Sequence, residues 1–176
     1  NKFFETIKLH TRSDVPIAAT LSGGMDSSSI VGAISKNIKL KDKLKTYTVM
    51  PPNTFDESNY INQTVLYNNI DHEYIKINEE KIDDKISEII LMHDEPFQYA
   101  SCIYQYLLRK KLSEKNHKVL LVGEGGDEVL AGYRRMIFMY LNSIRFSEDS
   151  DNYLEILQGA KELLNLDSNQ KVLENL

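Results

Sequence analysis

Two clusters of glycine and acid carry residue types that could do chemistry together. The first is Leu21-Ser22-Gly23-Gly24-Met25-Asp26-Ser27-Ser28. Adjacent glycines allow a tight turn and let backbone N–H groups approach a ligand with no Cβ in the way. A helix opening at about Asp26 or Ser27 would add its unpaired N–H groups and the positive end of its dipole, both suited to an anion. Ser22, Ser27 and Ser28 supply hydroxyls, and Asp26 could hold a cation that neutralises the same anion. This combination reads as a phosphate or pyrophosphate cradle. It is not a Walker A loop, because no glycine in the chain is followed by lysine. The plainer alternative is an ordinary strand-to-helix turn with Ser or Asp as N-cap.

The second cluster is Gly123-Glu124-Gly125-Gly126-Asp127-Glu128, with three carboxylates set among three glycines. Like charges that close are unfavourable unless a cation or a basic partner offsets them. A Mg²⁺ ion bridging phosphate oxygens would serve, and so would Arg134 or Arg135. The alternative is a solvated acidic turn before a helix N-terminus, which prefers Asp and Glu. Gly132 could end the short helix that follows.

These clusters need elements to position them. Val15–Leu21, Lys45–Met50 and His72–Ile77 read as strands. Lys118–Val122 reads as a fourth, whose continuous apolar run is the pattern of a strand covered on both faces. Helical spacing recurs between them at Ile30, Val31, Ile34 and Ile38, at Tyr60, Ile61, Thr64 and Val65, at Ile82, Ile86, Ile89 and Ile90, and at Ile103, Tyr106, Leu107 and Leu112. The expected fold is α/β, with a mainly parallel sheet, helices on both faces and extra C-terminal helices. Ligands in such sheets bind at the carboxyl ends of the strands. Both glycine clusters fall at such ends, so Asp26 and Asp127 could converge. The expected organisation is an α/β domain over residues 1–146 and an acidic helical extension over 147–176.

Composition narrows the classes further. The 176 residues carry 21 Lys plus Arg against 26 Asp plus Glu, a formal net charge of −5. The last thirty residues hold seven acids and two bases, so the rest is balanced and a basic nucleic-acid footprint is missing. One cysteine, Cys102, rules out a disulfide framework and a Cys-rich zinc site, and reads as a small buried hydrophobe. His10, His72, His93 and His117 have no metal-site spacing and read as surface or capping residues. Tyr99, Tyr104 and Tyr106 read as packing aromatics. The apolar stretches are too short to cross a bilayer, and no basic-then-apolar leader opens the chain. The expectation is a soluble, cytoplasmic protein with no membrane or nucleic-acid partner.

Ser22-Gly23-Gly24-Met25-Asp26-Ser27 resembles the SGGxDS loop of the PP-loop ATP pyrophosphatases. Gly123 to Tyr133 resembles the G-(E/D)-G-(A/G/S)-D-E-x-x-x-G-Y signature of the asparagine synthetases that use glutamine. Arg12-Ser13-Asp14-Val15-Pro16 and Asp94-Glu95-Pro96-Phe97 are also similar to that family. The resemblance implies ATP as a substrate, with its pyrophosphate in Ser22, Gly23, Gly24, Ser27 and Ser28. Backbone at Leu21, Val49 and Gly123 would frame adenosine, Asp26 and Asp127 would bind Mg²⁺, and Glu124 would act beside the reacting carboxyl group. Met25 replaces the usual Leu, Ile or Val, with its side chain expected to point away from phosphate. The implied reaction converts aspartate to asparagine through a β-aspartyl-AMP intermediate. The ammonia would come from glutamine by way of a separate glutaminase domain that this chain lacks. The chain is expected to be an incomplete piece of that enzyme, with exposed apolar helix faces that favour a homo-oligomer. Two rivals are a β-lactam synthetase or peptide cyclase built on the same machinery, and a non-catalytic nucleotide-binding module.

Overall fold

The computed structural model describes residues 2–40, 43–50, 56–77, 82–145 and 153–165. The chain divides into two compact units, Asn1–Gly123 and Glu124–Leu176. In the first, α1 (Lys2–His10) leads into β1 (Ile17–Thr20), α2 (Met25–Asn37), β2 (Lys45–Met50) and α3 (Ser58–Asn68). The same unit continues with β3 (Asp71–Lys76), α4 (Asp83–His93), α5 (Ser101–Glu114) and β4 (Val119–Leu121). The second unit carries α6 (Gly126–Leu130), α7 (Arg134–Ile144) and α8 (Tyr153–Leu163).

The four strands form one parallel sheet in the order β3-β2-β1-β4. Ala18 pairs with Lys45 on one side and Leu120 on the other, so β1 is flanked by strands along its length. Alternation along β1 sends successive side chains to opposite faces. Ala19 joins Leu21, Val31, Ile34, Ile61 and Ile7 in one core, under α1, α2 and α3. Ala18 joins Tyr47, Ile75, Leu108 and Leu112 in the other, against α5. Both alanines are fully buried, which is why small residues suit a strand with helices on both sides. The expected α/β architecture with a parallel sheet is therefore the observed one.

The strand expected to be covered on both faces, β4, packs Leu121 against one core and Leu120 against the other, but it is a sheet edge among the described strands and its three residues are only half-buried. A continuous apolar run reports that both faces of a strand meet apolar neighbours. It says nothing about whether the strand's hydrogen-bonding edge has a partner. The most buried strand is β1.

Two histidines expected to be surface or capping residues are half-buried, His72 within β3 and His117 just before β4. The Thr46 hydroxyl donates to the Asp71 carbonyl at 3.2 Å and lies 2.9 Å from His72 Nδ1. With its hydrogen committed to Asp71, that hydroxyl accepts from His72 Nδ1–H, and His72 Nε2 is left buried without a hydrogen-bond partner. Burial pushes the His72 pKa below the ordinary histidine value, against a smaller upward pull from Asp71. His117 Nε2 lies 2.8 Å from the Tyr47 hydroxyl, and burial lowers its pKa too. Cys102, expected to be buried, is half-buried near the start of α5.

Between α4 and α5, Glu88 accepts hydrogen bonds from Lys110 at 2.8 Å, from the Tyr106 hydroxyl and from Lys85 at 3.0 Å. These contacts, Lys110 first, hold its carboxyl down at about 2. In the second unit, Leu141 and Ile144 of α7 pack on Leu157 and Ala160 of α8. No helix among the described residues is long and apolar enough to cross a membrane.

Candidate functional site

The strand order places a switch point between β1 and β4. From β1 the chain proceeds through β2 to β3 in one direction, and then returns to add β4 on the other side of β1. Crevices at such points, outside the carboxyl ends of the strands, are where ligands bind in open parallel sheets. Both glycine clusters follow directly from these two strands. Ala19 pairs with Leu121, so Leu21 and Gly123 each stand two residues beyond that pair.

Local bonds shape the first cluster into a closed loop. The Leu21 N–H donates to the Tyr47 carbonyl at 3.0 Å, extending the β1–β2 pairing by one residue. Gly23 turns the chain with φ of +79°, a conformation that disfavours any side chain. The Ser22 N–H donates to Ser27 Oγ at 3.1 Å, and the Ser27 hydroxyl donates to the Gly24 carbonyl at 3.2 Å. The Ser22 and Ser27 hydroxyls are 3.0 Å apart, and the Gly24 N–H reaches Ser22 Oγ at 3.4 Å. Ser27 is thus the buried staple of the loop, while Ser22 is exposed. Ser28 turns towards α3, where Thr64 Oγ1 donates to its hydroxyl at 3.5 Å. It borders an open groove of about 980 Å³ along α1, α2 and α3. Val49 is half-buried near the end of β2, packed beside the Tyr47 core.

Helix α2 begins at Met25, one residue before the expected opening at Asp26 or Ser27. Its N-cap is Gly24, in an extended conformation with no side-chain cap bond. The first internal bond runs from the Ser28 N–H to the Gly24 carbonyl at 3.1 Å. Neither Ser nor Asp caps the helix, so the N–H groups of its first turn lack the side-chain acceptor that an ordinary turn provides. Met25 is 82% exposed.

Gly123 brings the start of the second cluster against the first. A Cβ there would stand 2.9 Å from Ser27 N and 3.1 Å from Asp26 Cβ, closer than side-chain carbons approach such atoms. From the other side, a Cβ on Gly23 would meet Glu57 Cβ at 3.1 Å and Ile61 Cγ1 at 3.4 Å. The first turn of α3 therefore underlies the loop. Asp56 Oδ1 fixes that turn by accepting from the Ser58 N–H at 2.9 Å, and hydrogen bonding to the Ser58 side chain first, then to its N–H, holds the Asp56 carboxyl below the usual carboxylate range. The sequence reading missed Glu57, Ile61 and Thr48, whose hydroxyl donates to the Leu21 carbonyl, as neighbours of the loop. All three lie far from it along the chain, and no periodicity reports such a contact.

Within the second unit, Gly125 has φ of +92° and leads into the single short helix α6, which ends at Ala131 with φ of 56°. The Gly132 N–H donates to the Asp127 carbonyl at 2.9 Å, and a Cβ on Gly132 would fall on the Asp127 carboxylate. The left-handed residue that ends the helix is Ala131 and not Gly132 as expected; Gly132 instead leaves the space that the carboxylate occupies. The Tyr133 hydroxyl donates to Glu128 at 2.8 Å, which raises its pKa, and the Arg135 guanidinium lies 5.2 Å from the Tyr133 ring centre. Glu124 and Arg134 are exposed, and Asp127 is half-buried.

The asparagine synthase family model matches residues 1–175. The chain belongs to the asparagine synthase family. A Methanocaldococcus jannaschii protein named as a glutamine-hydrolysing asparagine synthetase is 35% identical over 130 residues, covering 74% of this chain and 25% of that protein. Asparagine synthetase [glutamine-hydrolyzing] 1 of Bacillus subtilis is 31% identical over 131 residues, covering 74% of this chain and 20% of the relative. Amidase chry2 of Gibberella zeae is 27% identical over 145 residues, covering 75% and 22% respectively. The chain thus spans about a quarter of the length of these relatives or less.

Proposed function

We propose that this chain forms the ATP-binding part of an amide-forming ligase that converts aspartate to asparagine. The observation that carries this reading is the seat of Gly123 on Asp26 and Ser27, which joins the start of one glycine cluster to the other at the switch point. On this reading the pyrophosphate of ATP lies against Ser22, Gly23, Gly24, Ser27 and Ser28. The uncapped N–H groups of the first turn of α2 face its negative charge. Backbone at Leu21, Val49 and Gly123 frames the adenosine.

Magnesium enters with its nucleotide as Mg-ATP. Among the described residues no group of three or more His, Cys, Asp or Glu gathers into a metal cage. A cage is not required, since Mg²⁺ is commonly held by one or two carboxylates together with substrate phosphates. Asp26 and Asp127 are the carboxylates assigned that role, where the ion's charge offsets the phosphate charge.

A carboxylate does not react with ammonia until one oxygen becomes part of a leaving group. An oxygen of the aspartate side chain attacks the α-phosphorus, forming an O–P bond as the bond to the departing pyrophosphate breaks. The oriented N–H dipoles of the loop stabilise the charge that builds on that leaving group. Ammonia then bonds to the acyl carbon, the acyl C–O bond breaks, and AMP leaves. The nitrogen must lose a proton, and Glu124 is assigned to receive it. Release of ammonia from glutamine is assigned to a catalytic cysteine outside this chain, because Cys102 is its sole cysteine and sits half-buried in α5.

The test is exchange of labelled pyrophosphate into ATP, with and without aspartate. Exchange that requires aspartate is the expected result. Nucleotide binding with no exchange under any carboxylate would support the non-catalytic module. Exchange driven by a different carboxylate would support the ring-closing or amidase-like alternatives.

A further inference from the structure

We propose that Thr48 is a positioning residue for the phosphate loop, acting through the Leu21–Ser22 peptide. The inference rests on the ATP-binding reading above and adds to it a residue on a neighbouring strand. The Leu21–Ser22 peptide is the last rigid unit before the chain enters the glycine turn, and both of its edges are held. Its carbonyl, on Leu21, accepts a hydrogen bond from the Thr48 hydroxyl of β2. Its N–H, on Ser22, donates to Ser27 Oγ at 3.1 Å. Leu21 is itself anchored, being 1% exposed and donating its own N–H to Tyr47.

Thr48 is buried, so its hydroxyl has no water to fall back on and is committed to this carbonyl. Ser27 holds one edge from within the loop, whereas Thr48 holds the other from the sheet. The Thr48 bond therefore sets the plane of the peptide relative to the sheet. That plane fixes the direction in which the Gly23 turn leaves the sheet and presents its N–H groups, the Ser22 N–H being already committed to Ser27. Without the hydroxyl the peptide can rotate about its flanking bonds, and the loop must be ordered anew by each phosphate it binds.

The experiment compares Thr48→Val, which keeps the shape and removes the hydroxyl, with Thr48→Ser, which keeps the hydroxyl and removes a methyl. Calorimetric titration of the 176-residue chain with Mg-ATP and with pyrophosphate supplies the readout, and thermal melting is recorded in parallel. The expected result is about fivefold weaker binding of both ligands by Thr48→Val, the scale of one lost hydrogen bond. Thr48→Ser should bind close to wild type even where its melting temperature falls. Equal binding by Thr48→Val and wild type would overturn the inference and leave the ATP reading intact. Weaker binding by Thr48→Ser than by Thr48→Val would also overturn it, since packing would then be the cause. A wild-type chain that binds neither ligand would overturn the ATP reading, and this inference with it.

Discussion

Gly123 and Gly23 are required for different reasons, and substitution should separate them. Gly123 has an ordinary φ but no space, with Ser27 N and Asp26 Cβ against the position of its missing side chain. Gly23 has both a left-handed φ and the first turn of α3 beneath it. Gly123→Ala should destabilise the first unit by about 1–3 kcal/mol, the usual cost of overpacking. It should also weaken Mg-ATP binding about tenfold or more, because the backbone atoms it displaces belong to the loop. Gly125→Ala is the control, since a Cβ there meets nothing within 4 Å and only its φ of +92° opposes it. Urea denaturation and calorimetric titration of the three chains measure both effects. A Gly123→Ala chain that binds Mg-ATP like wild type would remove the joint between the two clusters from the account. The strand-to-helix turn of the loop was legible in sequence because two adjacent glycines after an apolar run mark such a turn. The role of Ser27 as an internal staple was not, since it depends on where its hydroxyl points.

The strands were legible as elements. Lys45–Met50 matches β2 end to end, and β3 runs one residue earlier than the alternation placed it. Helices α2, α3, α4 and α5 lie where apolar spacing put them, and α8 falls within the expected C-terminal helical extension. Helix α1 went unread because Ile7 is its only buried residue while Phe3 and Phe4 are each about 40% exposed. Helix α7 was missed because Arg134 and Arg135 drew attention as charges, although Leu141 and Ile144 are its buried anchors. The histidines show the limit of reading types without contacts, since nothing in the spacing of His72 tells that Thr46 will sit beside it.

That contact makes a pH prediction. A histidine whose folded pKa is lowered binds fewer protons folded than unfolded, so stability rises with pH across the gap. The contribution of His72 is fully present above the ordinary histidine value of about 6.5. It is lost as pH falls from there towards the lowered folded value. His117 acts with the same sign. The groups around His72 are the Thr46 hydroxyl, the Asp71 carboxylate and the Tyr74 ring at 4.6 Å. The urea midpoint of wild type should fall between pH 7.5 and 5.5, and a His72→Gln, His117→Gln chain should fall less over the same range. Parallel slopes would contradict the assignment.

At the scale of the whole molecule, the family match extends across both compact units, while the site is argued from the first unit and from the chain that leaves it at Gly123. The sheet order was not legible, because alternation of strands and helices fixes parallel pairing without fixing which strand lies beside which. It is that order which puts β4 next to β1 and brings Gly123 against Asp26 and Ser27. The central claim is that the crevice at this switch point receives the triphosphate of ATP with its metal ion. The most direct measurement is titration of wild type, Asp26→Asn and Asp127→Asn with Mg-ATP and, separately, with AMP. The account predicts that wild type binds both, and that each substitution weakens Mg-ATP binding by about tenfold or more while changing AMP binding little. Equal losses for the two nucleotides, or no binding of Mg-ATP by wild type, would contradict it.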